Sequence, residues 1–353
     1  MKESKMRVLV TGGAGYIGSH TAKQLARSGY EPIVLDNLRH GHRGAVRWGP
    51  LIEMDLEDRQ GLQRVFQTYQ IGAVLHFAAL AYVGESIHAP AEYFRNNVAN
   101  TLNLLDAMRE NGVDKIIFSS TCATYGNPEQ LPISEIHRQV PVNPYGESKL
   151  MVERILNWYG RAYSLAWVAL RYFNAAGADP EGEIGEVHLP ETHLIPRAMA
   201  AAHGDCPALE VFGTDYETAD GTAVRDYIHV ADLARAHVRA LEWLMNGGSS
   251  RAFNLGTGQG HSVQEVIAAI ERIGRRRVPV KISPRRSGDP ALLVADATLA
   301  ARVLGWTPQH QSLDEIIATA WQWYDRFRTS GIDGTDPLEP TRVEPAVIGG
   351  NLN

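Results

Sequence analysis

Through the first half of the chain, short apolar runs alternate with stretches in which apolar positions return every three or four residues. The runs Arg7–Val10, Pro32–Asp36, Ala73–Phe77, Lys115–Ser119 and Leu165–Arg171 read as buried strands, and helical periodicity fills 16–28, 58–69, 91–111 and 144–162 between them. A strand, a helix and a second strand bring the chain back parallel to its start. Repetition of that unit predicts an α/β fold: a doubly wound parallel sheet with helices on both faces.

After Asn174 the texture changes. The run AAGADPEGEIGEVHLPETHLIP is rich in glycine, proline and acidic residues and fits no further strand-helix unit, which predicts the start of a second, smaller lobe. Helix starts reappear downstream, where Ser262 with Glu265 and Ser312 with Glu315 have the spacing of a capping box. We expect a first domain over 1–176 and a mixed α/β lobe over 177–330. Parts of 225–260, including a strand at Ala252–Leu255, are expected to return to the first sheet, and 331–353 reads as a proline- and glycine-rich tail.

Composition narrows the class. Of 353 residues, 44% are apolar and 21% charged, the balance of a globular protein with ample core. A net charge of −6 gives no electrostatic reason for a nucleic-acid or anionic membrane partner. No run approaches the roughly 20 apolar residues of a membrane-spanning helix, and MKESKMRVLV lacks a secretory core, so a cytoplasmic location is expected. Only Cys122 and Cys206 are present, too few for a disulfide framework and in keeping with a reducing compartment.

The first run leads directly into TGGAGYIGSH, residues 11–20, which reads as Gly12-x-x-Gly15-x-x-Gly18 or, in another register, Gly13-x-Gly15-x-x-Gly18. Lacking Cβ atoms, such residues let the backbone turn sharply and bring its N–H groups against a pyrophosphate at the positive end of the next helix. No Gly-Lys-Ser/Thr follows, which excludes a phosphate loop of the nucleotide-hydrolysing type. Glycines alone build only a turn, but Asp36 closes the second run and adds a second signal. A carboxylate there accepts hydrogen bonds from both adenosine ribose hydroxyls and repels a 2′-phosphate. NAD is therefore expected over NADP, although Arg39 and Arg43 follow closely, and the sheet reads as Rossmann-type.

In NPYGESKLMVE, Pro144 suits the first turn of a helix, and Tyr145 and Lys149 fall four residues apart on one face. A phenol is a poor base at its free pKa of about 10; bringing it to about 7 takes roughly 4 kcal/mol of differential stabilisation, which a nearby cation can supply. Thr121, in FSSTCATYG, follows the fourth run at the carboxyl edge where ligands of such sheets bind. Its hydroxyl can donate to a substrate oxygen or cap the loop.

Together TGGAGYIG, LDN, HFAA, NNV, SSTCATYG, YGESK and RYFN resemble the extended short-chain dehydrogenase/reductase superfamily. VGES, ETHLIP, VFGTDY, DGTAVRDYIHVADL, FNLGTG and PRRSGD are similar to its UDP-hexose 4-epimerases, and the likeness runs from about Met6 to about Phe327. The resemblance implies reversible inversion at C4, interconverting UDP-glucose and UDP-galactose through a 4-keto sugar, with a hydride lent to tightly held NAD and returned to the opposite sugar face. Tyr145 is then the base for the 4-hydroxyl, with Lys149 and Thr121 beside it. Firm UDP binding with a loosely held sugar suits that turn, since remote binding energy retains the intermediate.

By the same resemblance, cofactor contacts come from Gly12, Gly15, Tyr16, Ile17, Gly18, Asp36, Asn37, Asp55, Leu56, Phe77, Ala78, Ala79, Asn96, Tyr145, Lys149 and Phe173. UDP-sugar contacts come from Thr121, Asn174, His193, Leu194, Phe212, Arg225, Arg286, Asp289 and Leu293. The guanidinium groups of Arg225 and Arg286 suit a pyrophosphate, and a homodimer through helices of 91–111 and 144–162 is implied. The chain also departs from the family pattern. Ala81 stands where some members place a lysine, Thr121 where many have serine, and His193 where some have an asparagine on the diphosphate. Leu293, intermediate in size, stands where a tyrosine or a small residue sets tolerance for N-acetylated sugars.

A sugar-nucleotide 4,6-dehydratase would want an Asp-Glu pair directly after the threonine, and Cys122-Ala123 stand there. The remaining alternatives are a 4-epimerase of a UDP-pentose, UDP-glucuronate or UDP-N-acetylhexosamine, and a net NAD-dependent dehydrogenase. His40-Gly41-His42 and His188 with His193 have neither companion cysteines nor a His-Glu-x-x-His helix, so they read as polar loop residues and no metal is expected.

Overall fold

The computed structural model of the chain describes residues 5–286 and 289–332. Its central sheet has seven parallel strands: β1 (Arg7–Thr11), β2 (Glu31–Asp36), β3 (Leu51–Glu53), β4 (Ala73–His76), β5 (Lys115–Ser119), β6 (Ala166–Tyr172) and β10 (Arg251–Leu255). They lie in the order β10-β6-β5-β4-β1-β2-β3. Side chains alternate between the two faces along each strand, and both faces are buried. Val8, Val10, Leu75 and Ile117 pack under Leu25 of α1 (Tyr16–Arg27) and Leu233, Leu241 and Leu244 of α8 (Val230–Met245). On the other face, Leu9, Val74 and Ile116 meet α2 (Arg59–Tyr69), α5 (Asn100–Glu110) and α6 (Pro144–Tyr163) through Leu62, Phe66, Leu104, Met108, Val152 and Leu156.

Three local departures from expectation have physical causes. β3 is a three-residue edge strand, too short to show a period in sequence. In place of one helix over 91–111, the chain forms α3 (Val83–His88), α4 (Pro90–Tyr93) and a wide π-helical turn, Phe94–Ala99, before α5. In that turn the buried Asn97 amide bonds both the N–H and the carbonyl of Leu80, at 2.8 and 3.0 Å, and the Ser148 hydroxyl at 3.0 Å, stapling the loop after β4 to α6. The last helix among the described residues, α11 (Leu313–Ile332), runs past the expected start of the tail. The rest of that tail, 333–353, lies outside the described residues.

Phe173 alone separates β6 from β7 (Asn174–Ala176), so the second lobe begins at the carboxyl edge of the first sheet. β7, β9 (Val224–His229), β11 (Gly260–Ser262) and β13 (Leu292–Leu293) form a small mixed sheet, and β8 (Leu209–Phe212) pairs with β12 (Val280–Ser283). α7 (Leu194–His203), α9 (Val263–Gly274) and α11 close over them through Ile195, Met199, Val266, Ile270 and Ile317. α9 opens with the expected capping box, both bonds formed between Ser262 and Glu265. α10 (Thr298–Leu304) turns back to the first lobe, where Ala300 and Leu304 join the core under α8. Among the described residues no helix is long and apolar enough to cross a membrane.

Candidate active site

The loop between β1 and α1 divides its glycines by role. Gly12 has φ +71°, and a Cβ there would lie 2.5 Å from the Ala78 nitrogen; a Cβ on Gly18 would lie 2.2 Å from the Gly12 carbonyl. Both are demanded by the fold itself. Gly15 is different: its φ is −80°, and an added Cβ would meet only the Gly12 carbonyl, at 3.3 Å, a tight contact but far milder than those at Gly12 and Gly18. It is also the N-cap of α1, with no side chain capping the helix. The first-turn N–H groups are left for a ligand, at the end of the helix that favours an anion.

Asp36 is buried at the end of β2, its Oδ2 accepting from Ala14 N–H and its Oδ1 from Leu38 N–H, both at 2.9 Å. Each oxygen keeps a second lone pair. Burial raises its pKa, and the two backbone bonds only partly offset this, as suits a carboxylate with capacity for further donors. Next to it, Asn37 donates to Asp55 at 2.7 Å and Leu56 is buried. Ala78 N–H bonds the Thr11 carbonyl at 3.0 Å, followed by Ala79, and Phe77 packs 4.6 Å from the His237 ring. Asn96 donates to Asn97 at 2.9 Å in the π turn. Tyr16, followed by half-buried Ile17, spends its hydroxyl on the Gly177 carbonyl at 2.6 Å, tying the start of α1 to the second lobe. The uncapped helix start at Gly15 and the under-bonded Asp36 fit a dinucleotide.

At the start of α6, Asn143 accepts from Gly146 N–H at 2.8 Å, which sets Tyr145 and Lys149 on successive turns. Lys149 is 3% exposed and donates to the Ser119 carbonyl at 2.9 Å; its Nζ lies 5.9 Å from the centroid of the Tyr145 ring. The Thr121 hydroxyl accepts from Ala123 N–H at 3.1 Å and so caps the loop, and it stands close enough to the Tyr145 phenol to oppose the rise in its pKa. Burial governs the electrostatics. It raises the Tyr145 pKa well above the usual phenol range, with Tyr172 reinforcing and Thr121 opposing, and it pushes Lys149 down to about 7 against the pull of Glu153. Lys149 by itself therefore does not make the phenol acidic, contrary to the simplest expectation from the pair.

Beneath this pair lies a buried network that the motifs did not reveal. Glu153, one turn beyond Lys149, receives Arg171 through two nitrogens and the Ser120 hydroxyl at 2.5 Å. Arg171 also donates to Tyr125, which in turn bonds Asn254 of β10 at 2.6 Å. The spacing of Glu153 from Lys149 was visible in sequence; its partners on β6 and β10 were not. Tyr172, sharing a 2.5 Å hydrogen bond with Ser119, was likewise missed.

The second lobe supplies the opposite wall. Arg225 on β9 donates to the Val224 carbonyl at 2.8 Å and pairs with Asp289 at 2.5 Å. The neighbouring Asp226 is fully buried and taken up by backbone N–H groups of Thr257, Gly258 and Ala295. The Arg286 guanidinium stacks 4.0 Å over the Phe212 ring. Asn174 bonds the Asp226 carbonyl at 3.2 Å, and Leu293 packs on a cluster containing Cys122 and buried Phe173. Leu194 opens α7, while His193, just before it, turns its Nδ1 to Glu186.

Fold and cleft together define a dinucleotide-dependent enzyme on a Rossmann-type sheet. The model of the NAD dependent epimerase/dehydratase family matches residues 8–256. The chain is 56% identical to the UDP-glucose 4-epimerase of Rhizobium leguminosarum bv. trifolii over 317 residues, 90% of this chain and 97% of that protein. Among solved structures, the UDP-glucose 4-epimerase from Brucella ovis in complex with NAD superposes with a TM-score of 0.89 at 56% identity, covering 90% of this chain and 98% of that one. The Bifidobacterium longum enzyme, in complex with NAD+ and UDP, gives 0.86 at 40% identity over 91% and 98%. The chain belongs to the NAD-dependent epimerase/dehydratase family.

Proposed function

We propose that the chain is a UDP-glucose 4-epimerase that interconverts UDP-glucose and UDP-galactose. The observation that carries this reading is the buried Tyr145 phenol, with Thr121 beside it and the Lys149 Nζ 5.9 Å from its ring, on the same chain as the uncapped helix start at Gly15 and the buried Asp36. Gly12, Gly15, Gly18, Asp36, Asn37, Asp55 and Asn96 hold NAD along that edge. NAD, when bound, supplies a hydride acceptor and donor and a positive ring in the cleft. Tyr145, as the phenolate, removes the proton of the sugar 4-hydroxyl and later returns it; Thr121 donates to the same sugar oxygen and stabilises the charge that builds there. Lys149 adds positive charge from one helical turn away.

Substrate retention falls to the second lobe. Arg225 and Arg286 grip the diphosphate, Phe212 offers its ring to the uracil, and Asn174, Leu194 and Asp289 complete the UDP site. Asp289 keeps Arg225 extended, leaving guanidinium N–H groups for phosphate oxygens. Leu293, against Phe173 and Cys122, borders the sugar and sets its allowed bulk.

We also propose a homodimer. Trp158 and Tyr163 on α6 are more than half exposed, apolar side chains that a second copy would cover. A cytoplasmic setting agrees with two cysteines that are both free.

The test is incubation of purified protein with UDP-galactose and no added reductant, followed by chromatography for UDP-glucose. UDP-N-acetylgalactosamine, UDP-arabinose and UDP-glucuronate run in parallel. Turnover of one of these without UDP-galactose would replace the sugar assignment, and accumulation of NADH would replace epimerisation by net oxidation.

A further inference from the structure

Between β7 and α7 the chain carries the spacing Glu186-x-His188-x-x-Glu191-x-His193. In sequence the two histidines read as isolated loop residues. In the structure Glu186 and Glu191 join them, and one ligand atom from each of the four side chains lies within 4.8 Å of the others. We propose that Glu186, His188, Glu191 and His193 form a closed, four-ligand site for a divalent transition cation of the zinc class.

The geometry has the right scale. A tetrahedral zinc ion with bonds of about 2.0–2.1 Å sets its ligand atoms about 3.3–3.5 Å apart. Here His188 Nδ1 stands 3.2 Å from Glu186 Oε1 and 3.5 Å from Glu191 Oε2, and His193 Nδ1 stands 3.8 Å from Glu191 Oε1, an oxygen that also accepts from Thr192 and His193 N–H; His193 Nδ1 hydrogen-bonds Glu186 Oε1, a bond that an ion would replace. His188 Nδ1 is sealed from solvent and, among the described residues, makes no hydrogen bond although both carboxylates are near it.

The chemistry agrees. Two imidazoles and two carboxylates are a zinc-type donor set, and the carboxylates neutralise a dication, so no net charge is buried. Four protein ligands leave no open position, which makes the site structural. The surroundings are firm: Glu186 is 9% exposed in its side chain, Trp323 donates to its carbonyl at 3.2 Å, and the rings of Tyr16 and Tyr82 stand edge-on to His188 at 6.4 and 6.1 Å. The other acidic group nearby, Asp179 with Glu181 and Glu183, already encloses the Lys23 ammonium and has no place for a second cation. A bound ion would pin the 186–193 loop to the start of α7, next to Tyr16 at the start of α1.

The experiment uses the full chain without a histidine tag, stripped with a chelator, dialysed against zinc and passed through a desalting column. Metal per chain is then measured by plasma emission spectrometry. About one zinc per chain is expected, with Co2+ giving the intense visible bands of a tetrahedral complex. Glu186→Gln and His188→Gln should each bind at least tenfold more weakly; Glu191→Gln, at a more exposed position, gives the same answer if either of the others fails to fold by circular dichroism. Zinc retained by the wild type no better than by a folded variant, or a Co2+ spectrum like that of the hydrated ion, would overturn the proposal. Metal content is read without turnover, so loss of the epimerase assignment would leave this test unaffected.

Discussion

The Lys149 ammonium lies 5.9 Å from the Tyr145 ring centroid and is anchored on the Ser119 carbonyl at 2.9 Å, so helix α6 and strand β5 hold the pair jointly. Neither side chain reaches the other by hydrogen bond. In the protein alone burial moves the two pKa values opposite to what proton abstraction needs, raising the phenol and lowering the amine. The positive ring of the cofactor is what remains to reverse this.

Tyr145→Phe should remove turnover by about 10²- to 10⁴-fold, the range for losing a general base, while thermal stability and NAD content stay near wild type. Steady-state assay with UDP-galactose and release of the cofactor by denaturation measure both. Full activity in this variant would remove the proposed base.

Lys149→Met should separate activity from stability. The folded-state pKa of Lys149 is about 7 against 10.5 for the free side chain, so between those values the unfolded chain binds more protons and stability rises with pH. Below pH 7 the native state carries the whole cost of a buried ammonium. The methionine variant should therefore melt higher than wild type at pH 6, with the advantage shrinking toward pH 10, while turnover falls. A melting difference independent of pH would contradict this.

Acid should destabilise the fold through four histidines. Burial pushes His20 and His237 down to about 4, and His76 and His229 down to about 3. Their unfolded value is about 6.5, so the unfolded state takes up more protons as pH falls below it, and stability drops progressively toward pH 3 to 4. Calorimetry from pH 7 to pH 4 should show a falling Tm; a flat profile would mean these rings are not held neutral.

The loop glycines should respond differently to one methyl group. Gly12→Ala puts a Cβ within 2.5 Å of the Ala78 nitrogen at a positive φ, and it should lower Tm sharply. Gly15→Ala has an ordinary φ and meets only the Gly12 carbonyl, at 3.3 Å, so Tm should fall far less than for Gly12→Ala while NAD affinity falls by about tenfold, roughly 1.4 kcal/mol. Fluorescence titration with NADH and thermal melts distinguish the two.

Much of the first lobe was legible because its signals are local. Apolar runs such as Val8–Val10 and Val74–Leu75 need only a buried two-faced sheet, and Asp36 and Tyr145 sit at ends that strand and helix periodicity already mark. The π turn was not legible, because Asn97 acts through Leu80 and Ser148, far away in sequence. The partners of Glu153 were hidden for the same reason.

The sequence by itself determined the alternation of strands and helices, the glycine turn into α1 and the four-residue spacing of Tyr145 and Lys149. These depend on backbone sterics and on the period of burial, which are properties of neighbours along the chain. Only the tertiary structure decided that Arg225 pairs with Asp289 and not with adjacent Asp226, that desolvation outweighs the lysine charge at Tyr145, and that two glutamates close around His188 and His193. Those outcomes depend on which distant groups share a volume from which water is excluded, and that is set when the second lobe closes over the edge of the sheet.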